Sequence, residues 1–495
     1  MSISNRREFC LGLGAVAATL SLPASAKRMD ARRPNIVYVL CDDLGWGDLD
    51  AYNSHSAVPT PNANLLAREG RRFTDMHSSS AVCTPSRYSI LTGRYPWRSR
   101  LKKGVLNGYS PDLIQPDRMT VASMLKQDGY STAGVGKWHL GLQNGPKTDY
   151  SKPLDPGPID LGFDYYFGIP ASLDMPPYLY FENNHVVEQA TSFTPGGPAK
   201  KSIGPPRGVF WRSGPNAPDI VMNEVLPTIT GKAVSIIRDR GKKPNQPFFL
   251  YVALPSPHTP WLPLPQYVGK SKAGTYGDYV VETDAMLGKI MQALKDTGQA
   301  DDTLLIFTSD NGADWRPTDI AAYDHRANGP WRGEKADIWE AGHRIPFIAR
   351  WPGHIPAGTV SNELGSLTDL MATAAAITHT RLPSDAAGDS YNLLPALLDT
   401  NQKPVRDTIV FEAIDGMLSI RQGKWKLEEG LGSGGFGFDG PKHVEPQPGG
   451  PKGQLYNLEA DPREWYNVYQ QHPDIVDRLT KLLDTYEKQG YSRPM

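Results

Sequence analysis

The sequence predicts an α/β protein. A large mixed, mostly parallel sheet is sandwiched by helices, and a smaller C-terminal α+β subdomain containing an antiparallel sheet follows it. Three observations predict this. Short β-branched runs ending in polar clusters alternate with stretches of helical spacing. Gly 48 and Pro 44 make up about a fifth of the 495 residues, which calls for long, shaped loops on a scaffold. Past residue 405 the alternation gives way to short strands at hairpin spacing.

The elements follow in order. Arg6 and Arg7 precede an apolar run from Phe9 to Leu22, and Ala24-Ser25-Ala26 offers a small-residue cleavage site. Residues 1–26 therefore read as an export signal of twin-arginine type, which implies the twin-arginine export machinery and a periplasmic or secreted mature protein. The run is about 14 residues, short of the roughly 20 that span a bilayer, so no stable membrane insertion is expected. Residues 35–40 (NIVYVL) read as a buried parallel strand ending in Cys41-Asp42-Asp43. Helices are expected over 61–71, over 84–93 and over 119–128, where Gly129 stops the last. Strands are expected over 131–135, 248–254, 303–308 and 345–351, with a helix over 279–297. Residues 176–218 and 430–453 are dense in Pro and Gly and read as long functional loops. Residues 408–412, 418–422 and 424–428 form hairpin-spaced strands, and 473–489 a terminal helix. The domain division is thus 1–26 signal, 27–404 catalytic domain and 405–495 C-terminal subdomain.

Composition excludes some functions. Lys+Arg 52 against Asp+Glu 53 gives a net charge of -1, with no basic footprint for nucleic acid. Three cysteines rule out a disulfide-stapled fold. Two of them, Cys10 and Cys41, fall in the signal and in the first strand, which leaves Cys83 for chemistry.

Ligands of open α/β sheets bind beyond the carboxyl ends of the strands. Two strands here end in Asp42-Asp43 and Asp310-Asn311. Three carboxylates and an amide suit a hard cation such as Ca²⁺ or Mg²⁺, although Asp and Asn after strands also serve as helix caps. Cys83 precedes Thr84-Pro85, a helix-start pattern with Thr84 as N-cap, and Arg87 lies one turn on. That arrangement suits an oxyanion site, and equally a buried structural cysteine. Lys137, His139, His258 and Lys335 each follow a strand or a turn on the same rim of the sheet.

CTPSR at 83–87, followed by Thr92-Gly93-Arg94, resembles the signature of the type I sulfatases of the alkaline phosphatase superfamily. VLCDDLGWGD (39–48), GVGKWHLG (134–141), LGFDYYFGIPAS (161–172), SPHTPW (256–261), TSDNG (308–312), RGEKADIWEAGHRIP (332–346) and QLYNLEADPRE (454–464) resemble further family blocks in the same order. The resemblance covers most of the chain, and it implies an alkaline-phosphatase-like fold and hydrolysis of sulfate esters. It implies that a formylglycine-generating or sulfatase-maturating enzyme oxidises Cys83 to formylglycine (3-oxoalanine). It implies one divalent cation, Ca²⁺ with Mg²⁺ as alternative, held by Asp42, Asp43, the modified Cys83, Asp310 and Asn311. Arg87 would hold the aldehyde hydrate, and Lys137 and Lys335 would clamp sulfate oxygens. His258 would assist the leaving oxygen, His139 would be the base acting on the second hydroxyl, and Ser172 would be a polar contact near the substrate.

The expected substrate is a sulfated carbohydrate attacked from its end, as in arylsulfatase and N-acetylgalactosamine-6-sulfatase-like enzymes. The alternatives are small aryl sulfates, phosphate or phosphonate esters, and a non-catalytic glycan-binding role. Trp211, Arg212, Trp331, Tyr178 and Tyr180 are candidates for stacking on a sugar or for packing.

Overall fold

The computed structural model describes residues 33–197 and 207–494, so the expected signal at 1–26 lies outside the described residues. Pro34–Met495 forms one compact unit. Its centre is five parallel strands: β1 (Asn35–Asp42), β2 (Ser131–Lys137), β3 (Tyr165–Ile169), β4 (Phe248–Pro257) and β5 (Thr303–Ser309). They lie side by side in the order β5-β1-β4-β2-β3. Phe347–Arg350 pairs antiparallel to β5, and short strands extend both edges to ten in all, which makes the sheet mixed. β1 is flanked by strands on both sides and buried on both faces, which is why it reads as one continuous apolar run.

Two helix groups cover the sheet. Pro61–Glu69, Val225–Gly241 and Gly274–Asp296 pack together in one, and α1 (Cys83–Thr92), Val121–Gln127 and Leu370–Thr378 in the other. Among the described residues, no helix is long and apolar enough to cross a membrane.

Two details of the strand tips position chemistry. The pairing of β1 with β4 shifts register between Leu40 and Asp42, and such a bulge turns the carboxylate that follows it. At the tip of β2, Gly136 has φ 111, and a Cβ there would lie 1.9 Å from the Ala253 carbonyl oxygen. Only glycine lets the strands close up at this point and carry Lys137 onto the rim.

The C-terminal sheet runs Thr408–Glu412, Leu418–Gln422, Trp425–Glu428 and Gln454–Asn457, all antiparallel. Side chains alternate along it. Val410 joins Leu418, Leu427, Leu479 and Leu483 under the helix Pro473–Gln489, while Ile409 and Phe411 join Ile338 and Trp339. The second face also carries a buried polar junction. Lys426 Nζ donates to Glu464 Oε1 at 2.6 Å, to the Ile338 carbonyl at 2.9 Å and to His343 Nε2 at 3.0 Å. His343 Nδ1 meets His77 Nδ1 at 3.0 Å, and His77 Nε2 meets Asp75 Oδ1 at 2.9 Å. His77, Glu340 and His343 are close enough together to hold a metal ion, but here the Lys426 ammonium supplies the positive charge.

Three local expectations change. α1 begins at Cys83 itself with Val82 as N-cap; Thr84 lies within the first turn, where its hydroxyl donates to the His139 carbonyl at 3.0 Å. The strand β3, the helix Val225–Gly241 and the strand Gln454–Asn457 add to the elements expected from sequence. Tyr178 and Tyr180 are core residues, 3% and 4% exposed, so neither is a sugar platform, and Trp331 packs edge-on against Trp46.

Candidate active site

The tips of β1, β2 and β5, the start of α1 and the loops after β3 and β4 converge. Asp42, Asp310, Asn311, Arg87, Lys137 and His139 have no solvent exposure. Charges this deep require partners. The Arg87 guanidinium spans the site: Nε and Nη2 donate to Asp310 Oδ2 at 3.0 and 2.7 Å, and Nη1 to the Lys137 carbonyl at 3.1 Å. Arg87 thus anchors Asp310 and the tip of β2 together. Lys137 Nζ lies 2.5 Å from Asp42 Oδ2, and Lys335 Nζ 2.7 Å from Asp43 Oδ2. Each ammonium has three N–H donors and commits one to a carboxylate, leaving others for an anion. Asn311 Nδ2 donates to Asp43 Oδ1 at 2.7 Å.

Burial alone would raise the Asp42 carboxyl, but the charges of Lys137, His258, Arg87 and Lys335 outweigh it and hold it well below the usual carboxylate range. Asp310 moves the other way, raised by burial first and by the charge on Asp42 second. Burial pushes the Cys83 thiol up to about 11 against the pull of Lys137 and Lys335, so as a plain thiol it is protonated near neutral pH.

The two site histidines differ. His139 Nε2 lies 2.7 Å from the Leu106 carbonyl, an acceptor, so that nitrogen carries the proton. Its Nδ1 is buried without a partner. Burial first, then Lys137 and Arg87, keep the imidazole well below its usual range, hence neutral with a free lone pair on Nδ1. His258 Nδ1 meets the Thr259 carbonyl at 2.7 Å, which leaves Nε2 for the site, 3.8 Å from Asp43 Oδ2.

Cys83, Ser172, His258 and Lys335 line a cavity of about 450 Å³. The remaining expected residues connect to it through the bonds above; His139 does so through its carbonyl, which accepts from Thr84 beside Cys83. All eleven expected site residues are therefore brought into one neighbourhood. The sequence reading missed Asp174, Arg316, Phe436 and Phe438, which also line the cavity. Both Pro/Gly-rich loops contribute to it, the first through Arg212 and the second through the two phenylalanines.

The oxygens present suit a hard cation. Asp42 Oδ1 and Asn311 Oδ1 are buried and without hydrogen-bond partners, which is costly unless something positive meets them. Ligand atoms of Asp42, Asp43, Cys83 and His258 all lie within 4.8 Å of one another. Oxygen donors dominate, as Ca²⁺ and Mg²⁺ require.

Buried carboxylates with a free face, two lysines with spare donors beside a buried arginine, and a modest open cavity define a class: a hydrolase for esters of a tetrahedral oxyanion. The sulfatase family model matches residues 34–380, and the chain belongs to that family. N-acetylgalactosamine-6-O-sulfatase of Bacteroides thetaiotaomicron is 36% identical, over 92% of this chain and 93% of its own length. Homo sapiens arylsulfatase A is 33% identical, over 94% and 90%. A solved structure from work on the metabolism of multiple glycosaminoglycans by Bacteroides thetaiotaomicron superimposes with a TM-score of 0.81 at 35% identity, covering 92% of this chain and 100% of the other. A Pseudoalteromonas sp. sulfatase reaches a TM-score of 0.73 at 27% identity, over 92% and 90%. The fold is that of the alkaline-phosphatase-like sulfatases, and the protein is a hydrolase.

Proposed function

We propose that this sulfatase releases inorganic sulfate from the end of a sulfated carbohydrate, with a 6-O-sulfated N-acetylgalactosamine or galactose residue as substrate. The observation that carries the reading is the near full-length likeness to the Bacteroides thetaiotaomicron N-acetylgalactosamine-6-O-sulfatase, 36% identical over 92% of the chain. The substrate's sulfate meets the spare N–H donors of Lys137 and Lys335, which neutralise charge on its non-bridging oxygens. His258 faces the leaving oxygen through Nε2 when protonated. His139 takes a proton at Nδ1, with its Nε2–H tied to Leu106. Ser172, whose buried hydroxyl has no partner, is a further contact for the bound ester. Asp42, Asp43, Asp310 and Asn311 are the oxygen ligands for a divalent cation, with the side chain at 83 beside them. Formylglycine at 83 would supply the attacking hydroxyl as its hydrate, and Ca²⁺ or Mg²⁺ would polarise the ester and lower that hydroxyl's pKa.

A maturation enzyme acts on Cys83 in the cytoplasm, before twin-arginine export to the periplasm. Residues 27–404 form the catalytic domain, and 405–495 a subdomain that closes the pocket through Ile414, Phe436 and Phe438.

Sulfate release from 6-O-sulfated N-acetylgalactosamine, other defined sulfated saccharides, and the sulfate, phosphate and phosphonate esters of one phenol tests the reading. Preference for the 6-sulfated sugar supports it. Turnover of the phenyl esters alone overturns it. A second expectation concerns the cation. Exhaustive chelation is expected to lower turnover at least 10-fold and to lower the melting temperature, because three carboxylates lose their counter-charge. Ca²⁺ or Mg²⁺ restores both. Turnover and melting temperature unchanged by chelation would exclude the ligand role of these four residues.

A further inference from the structure

One carboxylate lining the cavity has no part in the chemistry above. Asp174 lies in the loop after β3, two residues beyond Ser172, and its side chain is 5% exposed. Arg212 grips it from one side: Nη1 bonds Asp174 Oδ2, and both the Arg212 backbone N–H and Nη1 donate to the Asp174 carbonyl, at 3.1 and 3.2 Å. Tyr178 donates its hydroxyl to the Arg212 carbonyl at 2.6 Å, so the two loops are clamped together. Asp174 Oδ1 remains buried with no hydrogen-bond partner. Leaving a buried carboxylate oxygen unpaired is costly unless something else supplies the donor, and this one borders the cavity. As an acceptor only, that oxygen calls for an O–H or N–H.

Another part of the cavity wall is aromatic. Phe436 and Phe438, 38% and 40% exposed, stand with ring centroids 6.2 Å apart and line the same cavity. The Arg316 guanidinium sits 3.8 Å from the centroid of the Phe438 ring and braces it. Beyond Arg212, Val105 and Met175 the cavity adjoins a groove of about 760 Å³ with Tyr109 and Lys147 in its wall, which gives room for further sugar units. An apolar aromatic surface and a fixed acceptor lining one cavity suit a pyranose.

Resting on the carbohydrate sulfatase reading, we propose that Asp174, oriented by Arg212, is the specificity-determining acceptor for the sugar hydroxyl nearest the sulfated carbon, with the ring against Phe436 and Phe438. For a 6-O-sulfate that hydroxyl is on C4. The spacing supports the choice: Asp174 and Ser172 have Cα atoms at most about 7 Å apart, so Asp174 reaches the part of the ring next to the ester. The acetamido group on C2 lies across the ring. Arg212 and Asp174 are positioning and binding groups; neither touches the reacting atoms.

The test combines a protein variant with a substrate variant. Asp174→Asn keeps the shape and removes the carboxylate. Its kcat/KM on N-acetylgalactosamine 6-sulfate is expected to fall on the order of 100-fold, because Arg212 holds the amide oxygen and the –NH2 then facing the sugar cannot accept the hydroxyl's proton. Its turnover of 4-nitrophenyl sulfate, which has no ring hydroxyl, is expected to stay within about 2-fold of wild type, since the sulfate-binding groups are untouched. The wild-type enzyme is expected to discriminate against the 4-deoxy sugar 6-sulfate by a similar factor, and Asp174→Asn to lose most of that discrimination. Galactose 6-sulfate is expected to retain the Asp174 dependence, because the acetamido N–H is not what is read. Equal wild-type rates on the 4-deoxy and parent sugars would overturn the assignment while leaving the sulfatase reading intact. Wild-type enzyme that hydrolyses aryl sulfate and no 6-sulfated sugar would instead overturn the carbohydrate reading itself. Parallel loss of aryl sulfate and sugar turnover in Asp174→Asn would show a structural role only.

Discussion

Replacing Cys83 by alanine is expected to remove sulfate-ester hydrolysis almost entirely, with a loss on the order of 10⁴-fold or more, as when a covalent nucleophile is deleted. The side chain sits at the start of α1, beside Asp42, Asp43 and His258, at the floor of the cavity. The variant should still fold, because removing one sulfur from a 2%-exposed position in a polar cleft leaves only a small void. An unchanged melting temperature checks this. Cys83→Ser is expected to be equally inactive on the formylglycine reading, since serine provides a hydroxyl but no aldehyde to hydrate. Mass spectrometry of the peptide spanning Cys83 from active enzyme completes the test. Finding only thiol there, in protein that turns over, would exclude formylglycine and require another nucleophile.

The second large effect concerns stability. Lys426→Met is expected to destabilise the protein by about 3–5 kcal/mol, the usual cost of breaking a buried ion pair from one side. Lys426 has no solvent exposure and faces Glu464, Glu340 and Glu428. Burial works against its charge, but those three carboxylates raise its pKa, so it remains an ammonium. Without it, His343 loses its donor and Glu464 and Glu428 lose their counter-charge where the C-terminal sheet meets the rest of the chain, while Glu340 keeps Arg344. A lowered urea midpoint is the readout. Lys426→Met combined with Glu464→Gln should recover part of the loss, because one unpaired charge is removed as well. A single variant with wild-type midpoint would show that the junction contributes nothing to stability.

Several features were legible in the sequence for identifiable reasons. β1, β4 and β5 are buried on both faces, so each appears as a mostly apolar run, and the polar cluster that ends β1 or β5 marks the rim where ligands gather; β3 carries no such signal and is not among the expected strands. The terminal helix Pro473–Gln489 announces itself with proline at its first position and Gly490 after its end. By contrast, Val225–Gly241 carries Pro227, Gly231 and several β-branched residues and lacks a capping side chain. It is helical because Val225, Leu226, Ile229, Ala233 and Ile237 all bury against the sheet and the neighbouring helix. Propensity did not show it; packing decided it. Thr84 misled for the opposite reason. Its local pattern suits an N-cap, but the His139 carbonyl, 55 residues away in sequence, takes its hydroxyl.

By itself, the sequence determined the sheet-centred fold, the acidic clusters at two strand tips, and the short motifs whose family resemblance implied the set of residues around Cys83. These are local: strand burial, turn chemistry and short motifs lie within a few residues of one another. Only the tertiary structure decided how those residues divide the work. Arg87 spends its donors on Asp310 and the Lys137 carbonyl, His139 is locked as the tautomer with a free Nδ1, and Lys426 puts its ammonium beside His343 and Glu340. The pocket wall of Asp174, Arg212, Arg316, Phe436 and Phe438 likewise exists only in the folded chain. Each of those side chains comes from a loop with no periodicity, and their meeting depends on which strand tips the sheet order makes neighbours.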